Sequence, residues 1–77
     1  MSIKEHERVI LTQDVSSEGL QAGDVGTVIH VHAHRKAYEV EFVSLTGETA
    51  AVATVEASQL RAALRNEIAH ARALAVA

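Results

Sequence analysis

The clearest pattern of apolar and polar positions in this chain is the run Tyr-Glu-Val-Glu-Phe, which ends at position 42. Successive side chains of a β-strand point to opposite faces of a sheet, so the run places Tyr38, Val40 and Phe42 on one face. We expect these three side chains in the core and Glu39 and Glu41 in water. The pattern therefore predicts a half-buried strand.

Three other segments have the composition of strands, because they are apolar runs bounded by glycine, serine or charged residues. They cover residues 9–12, 25–33 and 49–55. In the first of them, Val9 and Leu11 fall on the same face. Together with the strand at 38–43, these segments predict a mainly β fold.

Glycine and polar residues mark the connections between these strands. The triplet His34-Arg35-Lys36 predicts one turn, and residues 44–48 predict a hairpin loop with Gly47 in the left-handed conformation. Gly26 predicts a bend or a close backbone approach that a Cβ atom would obstruct. Leu20 is too apolar for the loop that contains it, so we expect it to close one end of the fold.

The pattern changes after Ser58, a residue suited to the N-cap of a helix. No glycine or proline occurs from position 60 onward, and apolar side chains recur there at helical spacing. This spacing predicts an amphipathic α-helix over about residues 59–75. The residues that we expect to form an interface on it are Leu60, Leu64, Ile68, Ala71, Leu74 and Ala75.

The predicted fold is a small SH3-like five-stranded barrel followed by this C-terminal amphipathic helix. We divide the chain into a flexible N-terminus (1–6), the barrel (7–58) and the helix (59–77), which packs on the barrel or on a partner. A chain of 77 residues forms one domain with a small core, and such domains often depend on association.

Charge and composition narrow the functional classes. Residues 1–57 contain four Lys or Arg against nine acids, a formal charge of -5, whereas residues 58–77 contain three Arg against one Glu, a charge of +2. An acidic body does not attract phosphate backbones. The chain has no cysteine, no membrane-length apolar run and no secretory signal, so we expect a cytoplasmic protein.

Three segments in order resemble a small bacterial family of SH3-like proteins that is catalogued only as a domain of unknown function. They are Gly23-Asp24-Val25-Gly26-Thr27-Val28, Ala37-Tyr38-Glu39-Val40-Glu41-Phe42 and Thr54-Val55-Glu56-Ala57-Ser58-Gln59-Leu60-Arg61. The resemblance covers residues 7–61. The first segment is also similar, more distantly, to SH3-like barrels of the nitrile hydratase β subunit and to KOW domains. The family implies a fold and no established activity, and the chain departs from its pattern after Arg61.

His30, His32 and His34 alternate along the second predicted strand, so all three would point to the same side. Imidazoles at this spacing, with a third ligand, can bind zinc or copper. The simpler interpretation is that an exposed strand face needs polar residues. We therefore name these histidines only as candidate metal ligands, and we expect no cofactor.

The sequence gives less support to nucleic-acid binding, polyproline binding and catalysis. Arg35 and Lys36 could contact phosphate, but nucleic-acid-binding barrels add further basic residues and stacking aromatics. Only Tyr38 and Phe42 are aromatic, and both are needed in the core, so a groove for polyproline ligands cannot be built. Each serine has a better explanation as a loop or cap residue. We expect no enzyme.

The functional prediction is a non-catalytic protein-interaction module. In this hypothesis the C-terminal helix mediates self-association or binds a partner protein, which the module accompanies as an accessory or antitoxin-like component. The alternative class is a small barrel that binds nucleic acid or metal. We expect no membrane association.

Overall fold

The computed structural model describes residues 2–74. It contains a five-stranded antiparallel sheet with the spatial order β4-β3-β2-β1-β5. The strands are β1 (Arg8–Leu11), β2 (Val25–Val31), β3 (Ala37–Val43), β4 (Thr49–Glu56) and β5 (Leu60–Ala62). Single 3₁₀ turns occur at Ser16–Glu18, Ala33–Arg35 and Ala57–Gln59.

One hydrophobic cluster forms the core, and every strand contributes to it. Its members are Val9, Leu11, Leu20, Val28, Tyr38, Val40, Phe42, Ala53, Val55 and Leu60. This cluster includes residues of both edge strands, β4 and β5, so the two edges of the sheet share one core. The predicted inward positions of β1 and β3 are confirmed, and Leu20 is buried as expected.

Two glycines have the roles that the sequence predicted. A Cβ atom on Gly26 would collide with the side chains of Val40 and Phe42, so the close approach of β2 to β3 requires glycine. Gly47 has a φ of 95°, in the left-handed region of the β3–β4 turn.

The predicted C-terminal α-helix is wrong. No helix of seven or more residues occurs within residues 2–74. Leu60, the first of the residues expected on the apolar face of that helix, instead begins strand β5 and pairs with Leu11 of β1. The strand ends at Ala62, which pairs with Val9 of β1. Over Leu60–Ala62, hydrogen bonding to β1 occupies the backbone groups that a helix would need, so tertiary pairing overrides the helix propensity there. Residues 63–74 form neither a helix nor a strand.

The predicted cap at Ser58 is also replaced by a different arrangement. Glu56 precedes the 3₁₀ turn Ala57–Gln59, and its backbone N–H donates to Gln59 Oε1 at 2.9 Å. This turn redirects the chain from β4 into β5. The sheet therefore takes its fifth strand from the segment in which the sequence pattern predicted a helix.

The N-terminal segment, expected to be flexible, makes contacts with the sheet. Ile3 is partly buried against the core, and the backbone N–H of His6 donates to Val28 O at 2.7 Å. Within the described part of the chain, no helix is long and apolar enough to cross a membrane.

Candidate functional site

Residues 63–74 follow β5 as a segment without regular structure, which we call the C-terminal strap. Near its start, the guanidinium of Arg61 donates two hydrogen bonds to the Glu67 carboxylate, at 2.8 and 2.6 Å. The backbone N–H of Leu64 also donates to Glu67 Oε1, at 2.7 Å. The bonds from Arg61, and then the one from Leu64, lower the pKa of Glu67 to about 2.

Near its end, the strap is bound to the loop between β1 and β2 by Arg72. Its Nε and Nη2 atoms donate to the two carboxylate oxygens of Asp24, at 2.8 and 2.6 Å. Nη2 also donates to the carbonyl oxygen of Gly19, at 3.1 Å. The side chains of Arg72 and Asp24 are 24% and 16% exposed, so the ion pair is largely shielded from water.

Local backbone contacts hold Asp24 in position for this ion pair. Its Oδ2 accepts from the backbone N–H of Gln21 at 2.8 Å, and its carbonyl oxygen accepts from Leu11 N at 3.0 Å. The hydrogen bonds from Arg72 lower the pKa of Asp24, and the one from Gln21 adds to this effect, while partial burial opposes it. Asp24 is therefore a fixed anionic acceptor on the folded domain.

A groove lies between the strap and the β3–β4 turn, with a volume of about 460 Å³. Three large apolar side chains that line it are exposed: Val43 (47%), Leu45 (87%) and Leu74 (46%). Leu20, Phe42 and the Asp24–Arg72 pair also line it. A second cavity, of about 240 Å³, lies beside Ile10, Val25 and Ile68. The strap thus borders both concave surfaces.

The predicted interface residues do not form one stripe. Leu60 is buried in the core, whereas Leu64 and Ile68 are 61% and 94% exposed on the strap. Ala71 and Leu74 line the larger groove. Ala75 lies outside the described residues.

The structure brings two of the three candidate metal ligands together. The His30 and His32 rings meet edge to face with centroids 5.0 Å apart, whereas His34 lies in the turn after β2 with a φ of 61°. A β-bulge at Ile29 decides which side the pair occupies. The bulge shifts the register so that His30 stands opposite the outward-facing Glu39, and without it this histidine would point toward the core.

Glu39 is the carboxylate nearest to this pair. The hydroxyl of Thr54 donates one hydrogen bond that the two carboxylate oxygens of Glu39 share, with Oγ1 at 2.5 and 2.9 Å from them. Glu39 Oε2 also lies 3.5 Å from His32 Nε2. The bond from Thr54 lowers the pKa of Glu39, and His32 adds to this effect while desolvation opposes it. No group of three His, Cys, Asp or Glu side chains within residues 2–74 is arranged to hold a metal ion.

Arg35 and Lys36, the candidate phosphate contacts, are exposed at the β2–β3 turn. The Arg72–Asp24 pair was not predicted, because Arg72 lies in the segment that the sequence pattern assigns to a helix. The opposite charges of the body and the tail were the one signal in the sequence that could have indicated it.

The comparisons with known proteins identify a family without adding an activity. The family model described as "Domain of unknown function (DUF4926)" matches residues 5–62, about three quarters of the chain. No curated protein and no solved structure matches the chain. The match ends at the last residue of β5, so the strap lies beyond it. The chain belongs to the DUF4926 family of domains of unknown function.

Proposed function

We propose that this protein is a non-catalytic protein-interaction module that receives a chain segment in the groove between the strap and the β3–β4 turn. The observation that supports this most directly is the exposure of Val43, Leu45 and Leu74 around one concave surface. Apolar side chains grouped at a groove gain free energy when a partner covers them.

The charge distribution at the groove also favours a protein ligand. The ionic side chains lining it include Asp24 and Arg72, which neutralise each other. The remaining exposed surface of the groove is mainly apolar, which suits an apolar segment better than a phosphate chain.

A second copy of the chain is the first partner to test, and an accessory or antitoxin-like complex with another protein is the other form of the proposal. The proposal includes the cytoplasmic location expected from the sequence. It also includes an SH3-like barrel, which the strand order β4-β3-β2-β1-β5 and the single core shared by both edges support.

The test is absolute mass by light scattering after gel filtration, at several concentrations. We expect the wild-type mass to exceed one chain and to rise with concentration, and Leu45→Lys to restore the mass of one chain. Val52→Lys is the matched control, because Val52 is 50% exposed on β4 but does not line either cavity described above. A single-chain mass for the wild type at every concentration would rule out self-association. Equal dissociation by both substitutions would rule out the groove as the contact.

A further inference from the structure

We propose that the loop between β1 and β2 forms an arginine-recognition site, which Arg72 occupies as an internal ligand. A partner segment replaces Arg72 in this site. That segment carries an arginine and, two residues later, an apolar residue. This inference rests on the proposed function, because it assumes that the groove receives a chain segment. It adds the chemical class of that segment and a way in which access to the groove is controlled.

The first argument is the match between the site and a guanidinium group. Two parallel N–H groups of Arg72 meet both oxygens of Asp24, and Nη2 makes a further bond to Gly19 O. A lysine ammonium cannot present two parallel donors to a carboxylate. Asp14, in the same loop, also favours the charged form of Arg72 electrostatically. The site therefore distinguishes arginine from lysine by geometry and not only by charge.

The second argument is that both acceptors belong to the domain and the arginine does not. Asp24 and Gly19 lie within the family match over residues 5–62, whereas Arg72 lies ten positions beyond its end. Asp24 is also positioned by Gln21 and Leu11, without any contribution from the strap. The acceptor side of the site is thus built by the domain itself.

The third argument is that the strap is suited to leave. Its apolar side chains Leu64 and Ile68 are 61% and 94% exposed, and Leu74 is 46% exposed, so only Leu74 buries a substantial part of its surface. A segment held mainly by polar contacts at its two ends can be displaced without loss of core packing. Bound in cis, Arg72 lowers the apparent affinity of an external ligand, because the site is free only in the fraction of molecules with the strap released.

The position of Leu74 sets the second requirement of the ligand. Leu74 forms the strap side of the groove, facing Val43 and Leu45, while Arg72 occupies the loop site. When the strap leaves, a partner segment with an arginine in the loop site would place its own apolar residue, two positions later, against Val43 and Leu45 where Leu74 had been.

The experiment measures binding of a fluorescently labelled peptide with the sequence of residues 68–74 (IAHARAL), blocked at both ends, to the full-length chain. Fluorescence anisotropy is recorded with wild type, Arg72→Ala, Arg72→Ala/Asp24→Asn and Arg72→Ala/Leu45→Lys. Thermal unfolding of each variant confirms that it is folded. We expect Arg72→Ala to bind the peptide about tenfold more tightly than wild type does. Adding Asp24→Asn should weaken that binding about tenfold or more.

Peptides in which the arginine is replaced by lysine or alanine test the chemistry of recognition. We expect both to bind Arg72→Ala at least about tenfold more weakly than the arginine peptide. Equal binding of the three peptides would overturn the arginine site, while a loss caused by Leu45→Lys in the same series would still support the groove. Binding that needs Asp24 but not Leu45 would support the arginine site and contradict the groove of the proposed function.

An absence of peptide binding to folded Arg72→Ala would also overturn the inference. The mass measurement then decides the proposed function independently, because it uses the wild-type chain. A wild-type oligomer that Arg72→Ala dissociates would indicate that the arginine ligand is the strap of a second copy.

Discussion

The guanidinium of Arg72 contacts the carboxylate of Asp24 across 48 residues of sequence, through two hydrogen bonds of 2.8 and 2.6 Å. This pair joins the strap, which lies beyond the family match, to a loop of the family domain. We expect this contact to hold the end of the strap in place, and this expectation can be tested without knowledge of a partner.

We expect Asp24→Asn to release the end of the strap while leaving the sheet folded. The amide keeps the shape of the carboxylate but loses its charge and one acceptor, so the paired hydrogen bonds from Arg72 weaken. Backbone ¹⁵N relaxation should then show order parameters for residues 69–74 falling from about 0.85 to below about 0.6. Glu18→Gln is the control, since Glu18 lies in the same loop and its side chain makes no hydrogen bond within residues 2–74. Unchanged order parameters in Asp24→Asn would show that other contacts hold the strap.

Acid should weaken the strap contacts. The pKa of Glu67 is lowered from 4.5 to about 2, and the pKa of Asp24 is lowered from 3.8. Because the pKa of each carboxyl group is lower in the folded state than in the unfolded state, its ionised form stabilises the fold. This stabilisation is complete above the unfolded-state pKa and is lost as pH falls through the folded-state pKa. For Glu67 the window runs from about pH 4.5 down to about 2. The effect should be modest, because the Arg61–Glu67 pair is partly exposed to solvent.

The measurement is the melting temperature of wild type and Glu67→Gln as a function of pH. We expect the wild type to melt at the higher temperature at neutral pH, and the difference to disappear toward pH 2. A difference that stays constant across this range would show that Glu67 stabilises the fold by packing or by neutral hydrogen bonds.

Gly26→Ala should destabilise the domain by about 1–3 kcal/mol, the usual cost of forcing a methyl group into a packed interior. Its added Cβ would meet Val40, Phe42 and the carbonyl of Glu41, and the backbone of β3 cannot move away without disturbing the ladder. Gly47→Asn provides the comparison, because asparagine tolerates the left-handed conformation and a Cβ there has open space. Urea unfolding should show a smaller loss, of about 1 kcal/mol or less, for Gly47→Asn, because only the positive φ of 95° strains the new residue. A neutral Gly26→Ala would mean that β2 and β3 are less closely packed than described.

Replacing the two leucines at the start of the C-terminal segment separates strand pairing from helix formation. Leu60→Ala should cost about 2–4 kcal/mol, because Leu60 is 7% exposed in the core. Leu64→Ala should change the unfolding free energy by less than about 0.5 kcal/mol, because Leu64 is 61% exposed. Similar decreases in the unfolding free energy for the two variants in urea would support the C-terminal helix that the structure contradicts.

Most of the sheet could be predicted from the sequence, because its signals are local. The alternation around Val40 reports which side of β3 is buried, and the close contact at Gly26 follows from the absence of a side chain in an apolar strand. The candidate site could not be predicted in the same way. Asp24 and Arg72 are 48 positions apart, and nothing in either local pattern indicates that they meet.

The histidines show how a single inserted residue changes such a prediction. Their alternation correctly indicates that His30 and His32 share a side, but the bulge at Ile29 decides that this side faces outward next to Glu39. A bulge leaves little trace in the pattern of apolar residues, because Ile29 suits either a core or a bulge position.

By itself, the sequence determined the strands β1 to β4, the buried faces of β1 and β3 and the turn at Gly47, since each depends on periodicity or on one residue's backbone freedom. Only the tertiary structure decided which secondary structure the segment after Gln59 adopts. Alanine, leucine and arginine there favour a helix in isolation, but β1 offers an unpaired edge to which Leu60 and Ala62 bind. Over Leu60–Ala62, the hydrogen bonds and core burial gained at that edge exceed the differences in helix propensity, which amount to only tenths of a kcal/mol per residue. Beyond Ala62 the chain is held by the contacts of Arg61 with Glu67 and of Arg72 with Asp24.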